Sequence, residues 1–173
     1  MKVYTYPKIG IEREYKEGID NSNNALISIL SSVDSPLSEE IKKSYKYVLE
    51  LRFDDLPFTL GLENIYNSES EFYHMIYFDS VHYQKICWFI KGDLRDFNGQ
   101  INIHCTAGIS RSGAVAVGVS LLRNDFALYE QIMRDNEIIP NQLALSYFVQ
   151  DVTSDNYWFD LVDMYKIILG GND

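Results

Sequence analysis

Cysteine is scarce in this chain: two residues in 173, Cys87 and Cys105. Small secreted folds stapled by disulfides need more, so the expectation is a reducing, cytoplasmic setting. Basic residues are also under-represented. Fifteen Lys and Arg against 25 Asp and Glu give a formal net charge of -10. That charge removes the basic footprint of a nucleic-acid binder and disfavours anionic membrane surfaces. No run of 18 apolar residues occurs, and Met1–Tyr6 lacks the apolar segment of a signal peptide. Neither membrane insertion nor secretion is therefore expected. His74 and His82 show no metal-ligand spacing. Repeats, low-complexity segments and linkers are absent, so residues 1–173 read as one domain. What the chain has in plenty is aromatic: 13 tyrosines and 9 phenylalanines.

Hydrophobic spacing sets out alternating elements. Val3-Tyr4-Thr5-Tyr6 alternates as a strand does, and a charged stretch follows from Glu12 to Glu17. Ala25–Leu30 is short, apolar and flanked by breakers, which predicts a buried central strand. Asp34-Ser35-Pro36 ends it, and Ser38 caps a short helix. Tyr47–Phe53 alternates as a strand and runs into Asp54-Asp55. Asp79 or Ser80 caps a helix carrying Tyr83, Ile86, Cys87, Phe89 and Ile90 on one face. Asn98-Gly99 turns into a strand at Ile101. Helices are expected from about Ser112 to Arg123, around Tyr129–Arg134, from Leu143, and at Tyr157–Leu169. Strands alternating with helices predict an α/β fold with a central, mostly parallel sheet flanked by helices.

One stretch concentrates the chemistry: His104-Cys105-Thr106-Ala107-Gly108-Ile109-Ser110-Arg111-Ser112. It joins a buried strand to a small-residue helix. A thiol of ordinary pKa is mostly protonated at neutral pH, so a nucleophilic cysteine needs positive potential around it. The turn can supply it three ways. Backbone N–H groups of Thr106 to Arg111 can converge on one point. The following helix adds its N-terminal dipole. Arg111 adds a fixed charge whose planar fork matches two phosphate oxygens. Thr106, Ala107, Gly108 and Ser110 are small enough to let backbone approach an anion. Ser112 can hydrogen-bond the thiolate, and His104 can orient the turn from beneath. The stretch reads as a phosphate loop with a nucleophile at its centre.

This segment resembles the H-C-x5-R-S signature loop of the cysteine-dependent protein tyrosine phosphatases. Its Ala-Gly-Ile-Ser wording resembles the dual-specificity branch and its compact bacterial and viral relatives. Leu51-Arg52-Phe53-Asp54-Asp55 resembles the strand that presents the family's general acid, and Arg134 with Pro140-Asn141 resembles a downstream element. The resemblance spans residues 25–150, leaving both ends uncovered. It implies a phosphatase acting on a phosphorylated protein or peptide: phosphotyrosine, with phosphoserine and phosphothreonine as further substrates. Cys105 would attack phosphorus, forming a phosphocysteine that water then hydrolyses. Thr106, Ala107, Gly108, Ile109, Ser110 and Arg111 would hold the phosphate, and Asn141 would support acid and water. No metal and no cofactor is implied.

The acid has three candidates. Asp55 ends the strand that the resemblance points to, but lies 50 positions before Cys105, further than in dual-specificity enzymes. An insertion within residues 56–78 would account for the surplus. Asp54 would point to the other side of a continuing strand. Asp79 has the more usual spacing but sits where an aspartate caps a helix. The aromatics Phe58, Tyr66, Phe72, Tyr73 and Tyr77 read as packing, with a pocket-shaping lid as the sharper alternative. Cys87 reads as core, with oxidative pairing to Cys105 as the alternative. Rival functions are a catalytically impaired phosphopeptide-binding module, a phosphoinositide or RNA 5′-triphosphate phosphatase, and an arsenate reductase. The phosphoinositide and RNA substrates call for basic residues near the loop, and residues 106–110 contain none. The acidic surplus favours phosphosites flanked by basic residues.

Overall fold

A computed structural model describes residues 1–56 and 75–152. Phe58, Tyr66, Phe72, Tyr73, His74, most of the expected 56–78 insertion and the expected helix at Tyr157–Leu169 lie outside those residues.

Strand β1 (Lys2–Pro7) leads into helix α1 (Lys8–Lys16). Strand β2 (Ala25–Leu30), helix α2 (Glu39–Lys43) and strand β3 (Tyr47–Arg52) follow. Helix α3 (Ser80–Trp88) continues into a π-helical turn, Phe89–Asp93, before strand β4 (Gln100–Cys105). Helices α4 (Arg111–Arg123), α5 (Phe126–Asp135) and α6 (Gln142–Val152) complete the described elements. The strands form one sheet in the order β1-β4-β2-β3, and every pairing in it is parallel.

Among the described residues the expected strands and helices are there, with one addition. The charged stretch Glu12–Glu17, given no element from its pattern, belongs largely to α1. Pro7 presets its extended N-cap, and Lys8–Glu12 and Arg13–Glu17 pair at helical spacing. Its apolar anchor is a single buried Ile11, too sparse a stripe to show as a period.

Parallel strands are covered on both faces, which is why β2 is buried at every position. Ala25, Ile27 and Ile29 join Ile101, Ile103 and Cys105 in the large core beneath α3, α4, α5 and α6. Leu26 faces the other way, against Ile11, Ile41 and Tyr45 of the smaller α1–α2 side. Helix α4 is buried from Arg111 through Leu122. It can lie that deep because Gly118 lets the Phe148 ring of α6 come within 2.6 Å of where a Cβ would stand.

Strand β1 is an edge, which leaves backbone groups open to pairing with another chain. Side-chain amides from the α5 region close it. Gln131 accepts from Val3 N–H at 2.9 Å and donates to Val3 C=O at 3.0 Å. Asn136 accepts from Thr5 N–H at 2.7 Å. The edge is thereby fixed against α5, and its last residues lie under the loop that follows β4.

Candidate active site

In a parallel sheet with helical crossovers the carboxyl ends of the strands share one edge, where ligands bind. Strand β4 ends there at Cys105, β2 ends beside Ser31 to Asp34, and β3 ends at Phe53 to Asp55. The turn from Cys105 to Arg111 needs one left-handed residue, and Gly108 supplies it at φ 80. A Cβ at Gly108 would stand 2.4 Å from Pro7 N and Tyr6 C. The loop therefore rests on the end of β1, and only glycine fits.

Cys105 is 1% exposed, at the floor of the loop. Its Sγ receives Gly108 N–H at 3.2 Å and stands 3.3 Å from Ser112 Oγ. Ser112 is in the first turn of α4 and is fully buried. Thr106, Ala107 and Ile109 are exposed around the mouth, and Ser110 is half-buried.

Arg111 is 5% exposed. One Nη donates to Phe53 C=O at 3.0 Å and the other to Thr106 Oγ1 at 2.6 Å. Both acceptors are neutral, and Nε has no partner among the described residues. Among the described residues no carboxylate sits directly on this buried guanidinium, which can therefore pair with an anion.

Behind the loop, His104 is opposite Ser28 in the β2–β4 register, and its Nε2 lies 2.8 Å from Ser28 Oγ. Burial pushes its imidazole from the ordinary 6.5 down to about 4. The ring is neutral at physiological pH and acts as a prop. Its linkage has a definite sign. The unfolded ring takes a proton near its ordinary value while the folded ring refuses it, so stability is complete above that value and lost as pH falls toward 4. Between pH 7 and pH 5 the wild type should lose about 2 kcal/mol through this residue, at roughly 1.4 kcal/mol per pKa unit. Urea denaturation at the two pH values should show that loss, and His104→Asn should largely abolish it.

The three aspartates have different surroundings. Asp55 Oδ1 accepts from Ser110 Oγ and from Asn141 Nδ2, each at 2.7 Å. Asn141 also donates to Leu56 C=O at 3.0 Å, and its own N–H bonds Ser110 C=O at 3.0 Å. Asp55 is thus held on the Cys105–Arg111 loop itself. Asp54 instead accepts from Ser32 N–H at 3.0 Å and from Ile76 N–H at 2.8 Å. Asp79 caps α3, accepting from Val81 and His82 N–H and pairing with the His82 ring at 2.7 Å. Of the downstream pair, Asn141 is in the site, whereas Arg134 is exposed and paired with Asp135 at 2.8 Å.

Sequence reasoning missed Asp34. Its Oδ2 accepts from Thr106 Oγ1 at 3.0 Å and from Ser31 N–H at 2.8 Å. A signal was available, since the turn after β2 must share the sheet edge with the turn after β4. Among the described residues no cluster of three or more metal-ligating side chains occurs, and no helix is long and apolar enough to cross a membrane. A depression of about 530 Å³, lined by Lys46, Tyr47, Arg95 and Phe97 among others, adjoins the starts of β3 and β4 at the opposite sheet edge.

No protein-family model matches the chain. A dual specificity protein phosphatase 26 from Rattus norvegicus is 36% identical over 66 residues. That match takes in 36% of this chain and 31% of the rat protein, so less than a third of the relative is spanned. Two solved structures share the fold over 88% of this chain, each with a TM-score of 0.52. One is Tk-PTP in its active form, 19% identical and covered over 90% of its length; the other is human DUSP28, 15% identical and covered over 92%. The described residues form an α/β protein whose β4–α4 loop carries Cys105 and leads into Arg111. The chain shares the α/β fold of these two structures and, over those 66 residues, is similar to a dual-specificity phosphatase.

Proposed function

We propose that the chain is a phosphatase that cleaves phosphate monoesters of proteins through a phosphocysteine. The observation that carries this reading is the buried Arg111, whose Nε has no partner among the described residues and stands in the same loop as Cys105 Sγ. Removing a charge from water without a counter-ion costs several kcal/mol. A phosphate dianion supplies that counter-charge and can take the free donor together with loop amides.

In the proposed reaction Cys105 Sγ, as thiolate, bonds to phosphorus while the bond from phosphorus to the ester oxygen breaks. A protonated Asp55 gives its proton to that departing oxygen. Both neighbours of Asp55 engage Oδ1, which leaves Oδ2 to carry the proton. Water, losing a proton to the same carboxylate, then attacks phosphorus, and sulfur leaves with its electron pair. Ser112 Oγ is placed to hydrogen-bond the departing thiolate. Charge on the transferring oxygens is met by Arg111 and the loop amides, which are held in place before reaction.

Exposed apolar side chains at the mouth support a protein substrate. Ile109 and Ile139 are joined by an Ile139 N–H to Ile109 C=O bond at 3.3 Å, and Val33 is exposed next to Asp34. Such a rim suits an ester with an apolar stem, above all phosphotyrosine, better than a headgroup carrying several phosphates. The whole chain is proposed as one such domain, with an insertion within residues 56–78. Supporting this, Asp54 N–H bonds Ile76 C=O at 2.7 Å, so the chain is at one place at both positions.

Phosphate release should be measured from phosphotyrosyl, phosphoseryl and phosphothreonyl peptides and from a phosphoinositide. The expected order puts phosphotyrosyl peptide first, with faster release when basic residues flank it. Faster release from the phosphoinositide than from every peptide would overturn the protein-substrate reading.

A further inference from the structure

The half-buried turn after β2 has no part in the reaction just described, yet it is closely hydrogen-bonded. Ser31 to Asp34 wraps the Arg52 guanidinium, whose Nη1 donates to the carbonyls of Ser31 at 2.5 Å, Ser32 at 3.3 Å and Asp34 at 3.2 Å. Ser32 is tied in turn to Asp54 through both its N–H and its hydroxyl. Arg52 and Asp54 flank Phe53, whose carbonyl holds one Nη of Arg111. The turn therefore shares its foundation with the arginine of the phosphate loop.

From this foundation the Asp34 carboxylate reaches across to the loop. Thr106 donates its hydroxyl proton to Asp34 Oδ2 at 3.0 Å, while Arg111 Nη2 donates to Thr106 Oγ1 at 2.6 Å. A hydroxyl has one proton and two lone pairs. With its proton taken by Asp34, Thr106 can meet Arg111 only as an acceptor. Partial burial opposes ionisation of Asp34, but hydrogen bonds from Ser31 and Thr106 and the nearby Arg111 charge outweigh it and hold the carboxyl below its usual range. It is an acceptor throughout the working pH range.

From this geometry we infer that Asp34 is a positioning residue for phosphate binding, acting on Arg111 through Thr106. The relay fixes Nη2 while the Phe53 carbonyl fixes Nη1. Two anchors set the plane of the guanidinium, so that Nε faces the anion before it arrives. The inference rests on the phosphate site proposed above and adds a residue 72 positions away from the loop.

The test reads affinity for inorganic phosphate by calorimetry on the full chain, without turnover. Asp34→Ala and Thr106→Val should each weaken binding about tenfold, the scale of one lost hydrogen bond to a charged group. Asp34→Asn keeps an acceptor oxygen and should bind at least as tightly as wild type; Thr106→Ser should stay within about twofold. The Asp34→Ala/Thr106→Val double variant should be no weaker than either single one, because both break the same relay. A merely structural turn would lose affinity in Asp34→Ala but not in Thr106→Val. Wild-type affinity in Asp34→Ala, an asparagine variant as weak as alanine, or additive losses would each overturn the relay. Thr106→Val is near-isosteric and decides the matter should Asp34→Ala fail to fold. Failure of the relay with wild-type hydrolysis intact leaves the phosphatase reading standing; no phosphate binding by wild type removes both.

Discussion

Cys105→Ser should abolish hydrolysis of phosphate monoesters while leaving phosphate binding intact. The substitution keeps size and shape at a position that is 1% exposed. It exchanges a thiol, whose anion is accessible near neutral pH, for a hydroxyl whose anion is not. The neighbours of Sγ, Gly108 N–H and Ser112 Oγ, can hydrogen-bond either atom. They cannot replace the missing nucleophile. A loss on the order of 10⁴-fold or more in kcat is expected, equivalent to about 5.5 kcal/mol of barrier. Arg111 and the loop amides are untouched, so calorimetry with inorganic phosphate should give an affinity within about threefold of wild type, well under the tenfold that 1.4 kcal/mol represents. Equal rates for the two proteins on an aryl phosphate would sink the nucleophile assignment. Loss of rate and of binding together would mean that the substitution had collapsed the loop.

Asp55→Asn should separate the acid from its two rivals through the leaving group. Asparagine can still accept from Ser110 and Asn141, so the loop contact survives. It cannot deliver a proton. Turnover of esters with poor leaving groups should fall roughly 10²-fold or more, and the basic limb of the pH profile should flatten. Esters of acidic phenols, which leave without help, should fall far less. Asp54→Ala should behave otherwise. That carboxylate satisfies Ser32 and Ile76 N–H groups, so its loss should cost about 1–3 kcal/mol of stability without altering leaving-group dependence. Asp79→Asn should do little, since asparagine is as good a helix cap as aspartate. Leaving-group dependence that moves with Asp79 and not with Asp55 would reverse the assignment.

Much of this arrangement lies within reach of the sequence because it is local. Residues 104–112 carry the thiol, the arginine, the small residues and the helix start in one run. A strand of alternating residues before it and a helix of small apolar residues after it follow from periodicity. Asp55 could be nominated because it ends the strand that the family resemblance points to. The remaining features depend on contacts that periodicity cannot express. Asp34 sits in a turn of serines and proline, and its partner Thr106 is 72 positions away. The carboxylates of Asp54 and Asp55 are adjacent in sequence but engage different parts of the fold, one the β2 turn and Ile76, the other the phosphate loop. Helix α1 escaped because one buried isoleucine is its main anchor. The resemblance extends to Arg134 together with Pro140-Asn141, and in the fold Arg134 pairs with Asp135 at the surface while Asn141 is in the site.

The central claim is that phosphate passes through a covalent bond to Cys105. Rapid acid quench during turnover of a phosphotyrosyl peptide, followed by mass spectrometry of the digested protein, tests it most directly. One phosphoryl group on the peptide containing Cys105, absent from the Cys105→Ser variant, is the predicted result. Steady turnover with phosphate on another residue, or undiminished turnover by Cys105→Ser, would contradict it.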